Sequence, residues 1–111
     1  MLVAVTGASG HVGGNLIREL LKRGRKVRAL VRPGDTRAIE GLDIERSYGD
    51  LLDQESLTRA FAGADVVYHL AARISIRSGD EDEVFRVNVD GTRNVVESCL
   101  RSGVRRLVHF S

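Results

Sequence analysis

An apolar run that breaks into glycines three apart constrains this chain more than any other feature: Val3-Ala4-Val5-Thr6-Gly7-Ala8-Ser9-Gly10-His11-Val12-Gly13. The apolar residues read as a buried strand, and Val12, Leu16, Ile17, Leu20 and Leu21 follow at helical spacing. Strand, tight turn and helix start are thus compressed together, which brings bare backbone N–H groups and the positive end of a helix against an anion. Gly7 allows the sharp turn, Gly10 has no Cβ to keep a phosphate away, and Gly13 is expected to let the first helix pack closely on the sheet. Thr6 and Ser9 add hydroxyls for the turn or the phosphate. A glycine-rich turn without a ligand is the competing reading, but a strand before and a helix after favour a dinucleotide pyrophosphate site.

The remaining segments alternate in the way a parallel sheet requires. The first helix is predicted from His11 to Arg23, with Gly24 as its cap, and a second strand from Val27 to Val31. Residues 33–42 read as a polar connection, Ile44 to Tyr48 as a third strand closed by Gly49-Asp50-Leu51, and Asp53 as the cap of a helix reaching Ala62. Asp65 to Ala72 is nearly all apolar, a fourth strand expected to be covered on both faces. A loop from Arg73 to Gly79 precedes the longest helix, from Asp80 to Arg101, and a fifth strand spans Arg105 to Phe110. Right-handed crossovers between these strands imply an α/β doubly wound sheet (Rossmann) of five strands in the order 3-2-1-4-5, with its ligand crevice where strands 1 and 4 diverge.

The end of strand 2 bears on which dinucleotide fits. An acidic residue there would bind a ribose 2′-hydroxyl, but the chain reads Val31-Arg32-Pro33, with no carboxylate before Asp35. The planar fork of Arg32 suits a 2′-phosphate, which favours NADP (NADPH) and leaves NAD possible through Asp35. Arg37 is a weaker second candidate for the same phosphate. Asp50, at the end of strand 3, either accepts a bond from the adenine amino group or bonds its own turn. Ala71 and Ala72 are small enough to let a ribose or nicotinamide approach.

Composition narrows the remaining classes. With 111 residues, 42% apolar and 29% charged, the chain is expected to form one ordinary globular NAD(P)-binding domain over residues 1–111. Seventeen basic residues interleave with fifteen acidic ones, so the net charge of +2 carries no footprint for nucleic acid or a membrane surface. The one cysteine, Cys99, rules out an internal disulfide, and with no signal-like start or long apolar run a cytoplasmic location is expected. Cys99 is expected to be a small packing residue within a helix. His11, His69 and His109 lack zinc-ligand spacing, so no metal site is expected.

Taken together, Thr6-Gly7-x-x-Gly10-x-x-Gly13, Asp50, His69-Leu70-Ala71-Ala72 and Asn88-Val89-Asp90-Gly91-Thr92-Arg93-Asn94 resemble the extended short-chain dehydrogenase/reductases, also called the NAD-dependent epimerase/dehydratase family. The resemblance covers the whole chain, and Arg32 makes it closest to NADP-dependent reductases of the dihydroflavonol-reductase type. It implies a cofactor-facing set of Gly7, Ser9, Gly10, His11, Val12, Gly13, Arg32, Asp50, Leu51, Leu70, Ala71, Ala72, Asn88 and Ser111. His11 departs from the usual Phe, which is a packing variation and not a catalytic histidine. Asn88 is implied to distort its helix and to help hold a proton-relay water; read from composition, Asn88 with Gly91 three residues on is a weak spot in a helix.

The family's catalytic Tyr-x-x-x-Lys has no counterpart here. Tyr48 is followed four residues on by Leu52 and Tyr68 by Ala72, and the lysines, Lys22 and Lys26, lie near the first helix. The expected function is therefore the NAD(P)-binding portion of an oxidoreductase resembling NADPH-dependent carbonyl reductases, acting on a small-molecule substrate only within a longer parent. A non-catalytic dinucleotide-binding module and an NAD-dependent nucleotide-sugar epimerase/dehydratase are the alternatives. The long helix, with Val84, Phe85, Val87, Val89, Val95, Val96 and Leu100, is apolar over more than one stripe, so a homo-oligomer is expected.

Overall fold

The computed structural model describes residues 1–8, 11–32, 34, 39–70 and 81–110, leaving aside the side chains of residues 11, 81–85 and 87. Within them run β1 (Leu2–Thr6), α1 (His11–Lys22), β2 (Lys26–Val31), β3 (Glu45–Tyr48), α2 (Gln54–Phe61), β4 (Val66–Leu70), α3 (Glu81–Ser102) and β5 (Arg106–Phe110). The five strands form one sheet in the order β3-β2-β1-β4-β5, all neighbours parallel. This is the doubly wound arrangement that the alternation implies.

Side-chain alternation along the strands sorts the core into two layers. Val3, Val5, Val27, Ala29 and Val31 face α1, where they pack with Ile17 and Leu20. Ala4, Leu30 and Val67 face the other way, onto Leu57, Ala60 and Phe61 of α2 and Val95 and Cys99 of α3. The stretch read as a polar connection hides one anchor of the first layer: Ile39 is fully buried. It stands in a short segment, Arg37-Ala38-Ile39-Glu40-Gly41, in which no periodic apolar pattern marks it.

β4 is covered less evenly than its apolar run implies, a correction to the expected burial of both faces. Val66 and Tyr68 are only half-buried, while Val67, His69 and Leu70 are buried. On the α1 side, Tyr68 stacks on Phe110 of β5 with ring centroids 6.1 Å apart, and Phe110 itself is 42% exposed. The α1 layer thus stops short of the β4–β5 edge.

Caps follow the sequence closely. Asp53 accepts from the backbone N–H groups of Glu55 and Ser56 at the start of α2. At its end, Arg28 Nη1 donates to the carbonyls of Ala60 (3.0 Å) and Ala62 (2.7 Å) while Nε pairs with Glu45 at 2.8 Å. The guanidinium therefore satisfies carbonyls that the helix leaves unpaired and ties β2, β3 and α2 together. α3 is a continuous helix from Glu81 to Ser102, so the expected distortion at Asn88 is not found.

Candidate dinucleotide site at the strand crossover

The crevice lies beyond the carboxyl ends of β1 and β4, where successive connections leave for opposite faces of the sheet. Gly7 turns the chain out of β1 with φ +76°. A Cβ there would overlap the Leu70 carbonyl oxygen and come within 2.9 Å of Leu70 Cβ. Glycine is needed both for the left-handed backbone and for the approach of β4. At Gly13 a Cβ would lie 2.7 Å from the Gly7 carbonyl oxygen and 2.7 Å from Ala8 Cα. The third glycine therefore lets the helix fold back on the turn itself, a correction to its expected role against the sheet.

This geometry fits a phosphate. Two missing Cβ atoms let the turn close tightly on β4 and on the start of α1, and α1 carries no acidic residue in its first turn to neutralise its positive end. Val12 stands at that end, 65% exposed. Ser9 and Gly10 lie outside the described residues, as does the His11 side chain; Ala71, Ala72, the 73–79 loop and Ser111 lie outside them too, as do Asp35 and Arg37.

The second part of the candidate site is at the ends of β2 and β3. Arg32 follows β2 directly and is exposed; Val31 is in register with Tyr48, and Gly49 N–H donates to the Val31 carbonyl at 3.0 Å. This brings Arg32 and Asp50 to neighbouring strand ends. Asp50 is exposed, and its Oδ1 accepts from Leu52 N–H at 2.9 Å, the self-bonded turn that was one of its two readings. The buried Ser56 hydroxyl accepts from Asp50 N–H at 3.1 Å and lies 3.0 Å and 2.7 Å from the carbonyls of Asp50 and Asp53. A Cβ at Gly49 would overlap the Ser56 side chain. Neither Gly49 nor Ser56 is singled out by spacing, because their pairing is made only when α2 folds onto the end of β3.

Below the crevice, His69 joins three elements. Its Nδ1 is 2.6 Å from Thr6 Oγ1 of β1, and its Nε2 is 3.4 Å from Thr92 Oγ1 of α3. Burial, with a smaller contribution from His109 5.1 Å away ring to ring, lowers the His69 pKa to about 4. The imidazole is neutral at physiological pH and 2% exposed, a structural strut and not a base. Cys99 is likewise inert, since burial pushes its thiol up to about 11. Leu70 is buried at the end of β4, and Asn88 is exposed on α3.

Comparison with known proteins decides the family. The family model for the NAD-dependent epimerase/dehydratase family matches residues 3–111. The chain belongs to that family. It is 53% identical over 112 residues to sterol demethylase protein B of Methylococcus capsulatus, covering 100% of this chain and 34% of that protein. It is 35% identical over 119 residues to dihydroflavonol 4-reductase of Dianthus caryophyllus, covering 98% of this chain and 33% of that one. The UDP-glucose 4-epimerase of Thermus thermophilus, solved in complex with NAD, superimposes with a TM-score of 0.81 at 34% identity, over 96% of this chain and 36% of that one. The chain thus spans about a third of the length of these relatives.

Proposed function

We propose that this family member is the dinucleotide-binding portion of an NADPH-dependent carbonyl reductase of the dihydroflavonol-reductase type. The observation that carries the reading is the cradle between Gly7 and Gly13 at the crossover of β1 and β4, where added Cβ atoms would meet backbone and not open space. The pyrophosphate lies on this turn, with Ser9, Gly10, His11 and Val12 around it. Arg32 takes the 2′-phosphate, and Asp50 and Leu51 border the adenine. Leu70, Ala71, Ala72 and Ser111 line the path toward the nicotinamide, with Asn88 supporting a water. Bound there, the nicotinamide supplies a hydride to a carbonyl. The family's proton-donating Tyr-x-x-x-Lys is absent from these 111 residues, so the reaction is assigned to a protein of the relatives' length.

An NAD-dependent epimerase is the second reading, favoured by the likeness to the Thermus enzyme; Arg32 at the end of β2 weighs against it. Fluorescence titration separates the two. NADPH should bind more tightly than NADH, and Arg32→Asp should narrow or reverse the difference. Equal affinities before and after the substitution would rule out the NADP assignment.

A further inference from the structure

The turn that borders the adenine is not held by its own strand alone. Asn94 of α3 donates from Nδ2 to the Leu51 carbonyl at 3.0 Å, and its Oδ1 accepts from Gln54 Nε2 at 3.1 Å. The same Gln54 amide donates to Glu97 Oε2 at 2.7 Å, so the carboxamides of Gln54 and Asn94 are oriented against each other. One helical turn before Asn94, Gly91 is buried where a Cβ would lie 3.2 Å from Leu51 Cβ and 3.4 Å from its Cδ1. Gly91 is therefore more than a weak spot in α3: its missing side chain lets Leu51 pack closely against the helix.

We propose that Asn94 and Gly91 are positioning residues that set the Asp50-Leu51 turn for adenine, so that the far helix α3 controls base selectivity at the other end of the site. This rests on the dinucleotide reading above. Asp50 Oδ1 already accepts from Leu52 N–H, so the direction of the carboxylate follows the path of residues 50–52. That path is fixed on one side by Ser56 and on the other by the Asn94 bond to the Leu51 carbonyl. A carboxylate aimed at the base favours adenine, whose exocyclic amino group donates, over hypoxanthine, which carries a carbonyl there.

The test compares a nicotinamide adenine dinucleotide phosphate with its hypoxanthine counterpart, both titrated calorimetrically against the unaltered chain, Asn94→Ala, Gly91→Ala and Val27→Ala. Gly91→Ala improves helix propensity while pressing on Leu51, so it separates positioning from stability. Val27→Ala empties part of the buried α1 layer, whereas Leu51 packs against the opposite layer, and so serves as a destabilised control. The unaltered chain should prefer the adenine form, and Asn94→Ala and Gly91→Ala should each reduce that preference on the order of tenfold. Val27→Ala should keep the preference whatever its melting temperature. Should Asn94→Ala fail to fold, Gly91→Ala carries the test. A preference unchanged by the α3 substitutions, or a ratio of one in the unaltered chain, overturns this proposal alone. Failure of the unaltered chain to bind either dinucleotide overturns the dinucleotide reading together with it.

Discussion

His69 makes the stability of this domain depend on pH in a way that can be calculated. In the unfolded chain its imidazole titrates near its ordinary value of 6.5, whereas in the fold burial lowers it to about 4. The folded pKa is depressed, so the folded state favours the neutral form. The stabilisation is present above 6.5 and is lost as pH falls from 6.5 toward 4. At pH 5 the unfolded imidazole carries a proton that the folded one does not, over about 1.5 pH units at 1.36 kcal/mol each, or about 2 kcal/mol. Part of the shift comes from His109, which is exposed and screened by solvent, so a loss of about 1–2 kcal/mol between pH 7 and pH 5 is expected. Urea unfolding at the two pH values measures it. His69→Gln keeps a side-chain acceptor for Thr6 but cannot titrate, and subtracting its pH dependence isolates the part that belongs to His69. An identical loss in the unaltered chain and in His69→Gln would falsify the account of His69 as a buried neutral strut.

Further substitutions probe other parts of the framework. Gly7→Ala should cost about 2–4 kcal/mol in urea unfolding, about 1–2 from the positive φ and the rest from overlap with the Leu70 carbonyl; a cost under about 0.5 kcal/mol would mean that the turn relaxes freely. The Cys99 thiol should resist a disulfide reagent at pH 8 until denaturant is added, and rapid labelling of the native chain would contradict its burial. Val89 (38%), Val96 (41%) and Leu100 (78%) leave an exposed apolar stripe along α3. Sedimentation at increasing concentration should show association that Leu100→Glu weakens, and a persistent monomer would argue against assembly through this face.

Much of this was legible in the sequence because it is written locally. The Gly7 turn after β1, the Asp53 cap and the alternation of strands with amphipathic helices each depend on residues within a few positions of one another, and each is found where the pattern puts it. The elements differ from expectation mainly by a residue at their ends, where a last turn or ladder bond decides the boundary. What was not legible depends on partners distant in the chain. Gly91 looks like a helix defect until Leu51 is seen against it, and Asn94 looks like a solvated polar residue until its bond to the Leu51 carbonyl is seen. Ile39 goes unmarked for the same reason: its burial is a property of the α1 layer and not of its own short segment.

The location of the bound dinucleotide tests the central claim most directly. Backbone amide chemical shifts followed during titration with NADPH should move at Thr6–Ala8, Val12–Gly13, Arg32, Gly49–Leu52 and Leu70, the carboxyl ends of the strands, with saturation in the micromolar range or weaker. Residues at the opposite ends of the strands, such as Lys26, Val66 and Arg106, should stay still. Saturable shifts confined to those amino ends, or none at the glycine turn, would contradict the assignment of the crossover crevice as the dinucleotide site.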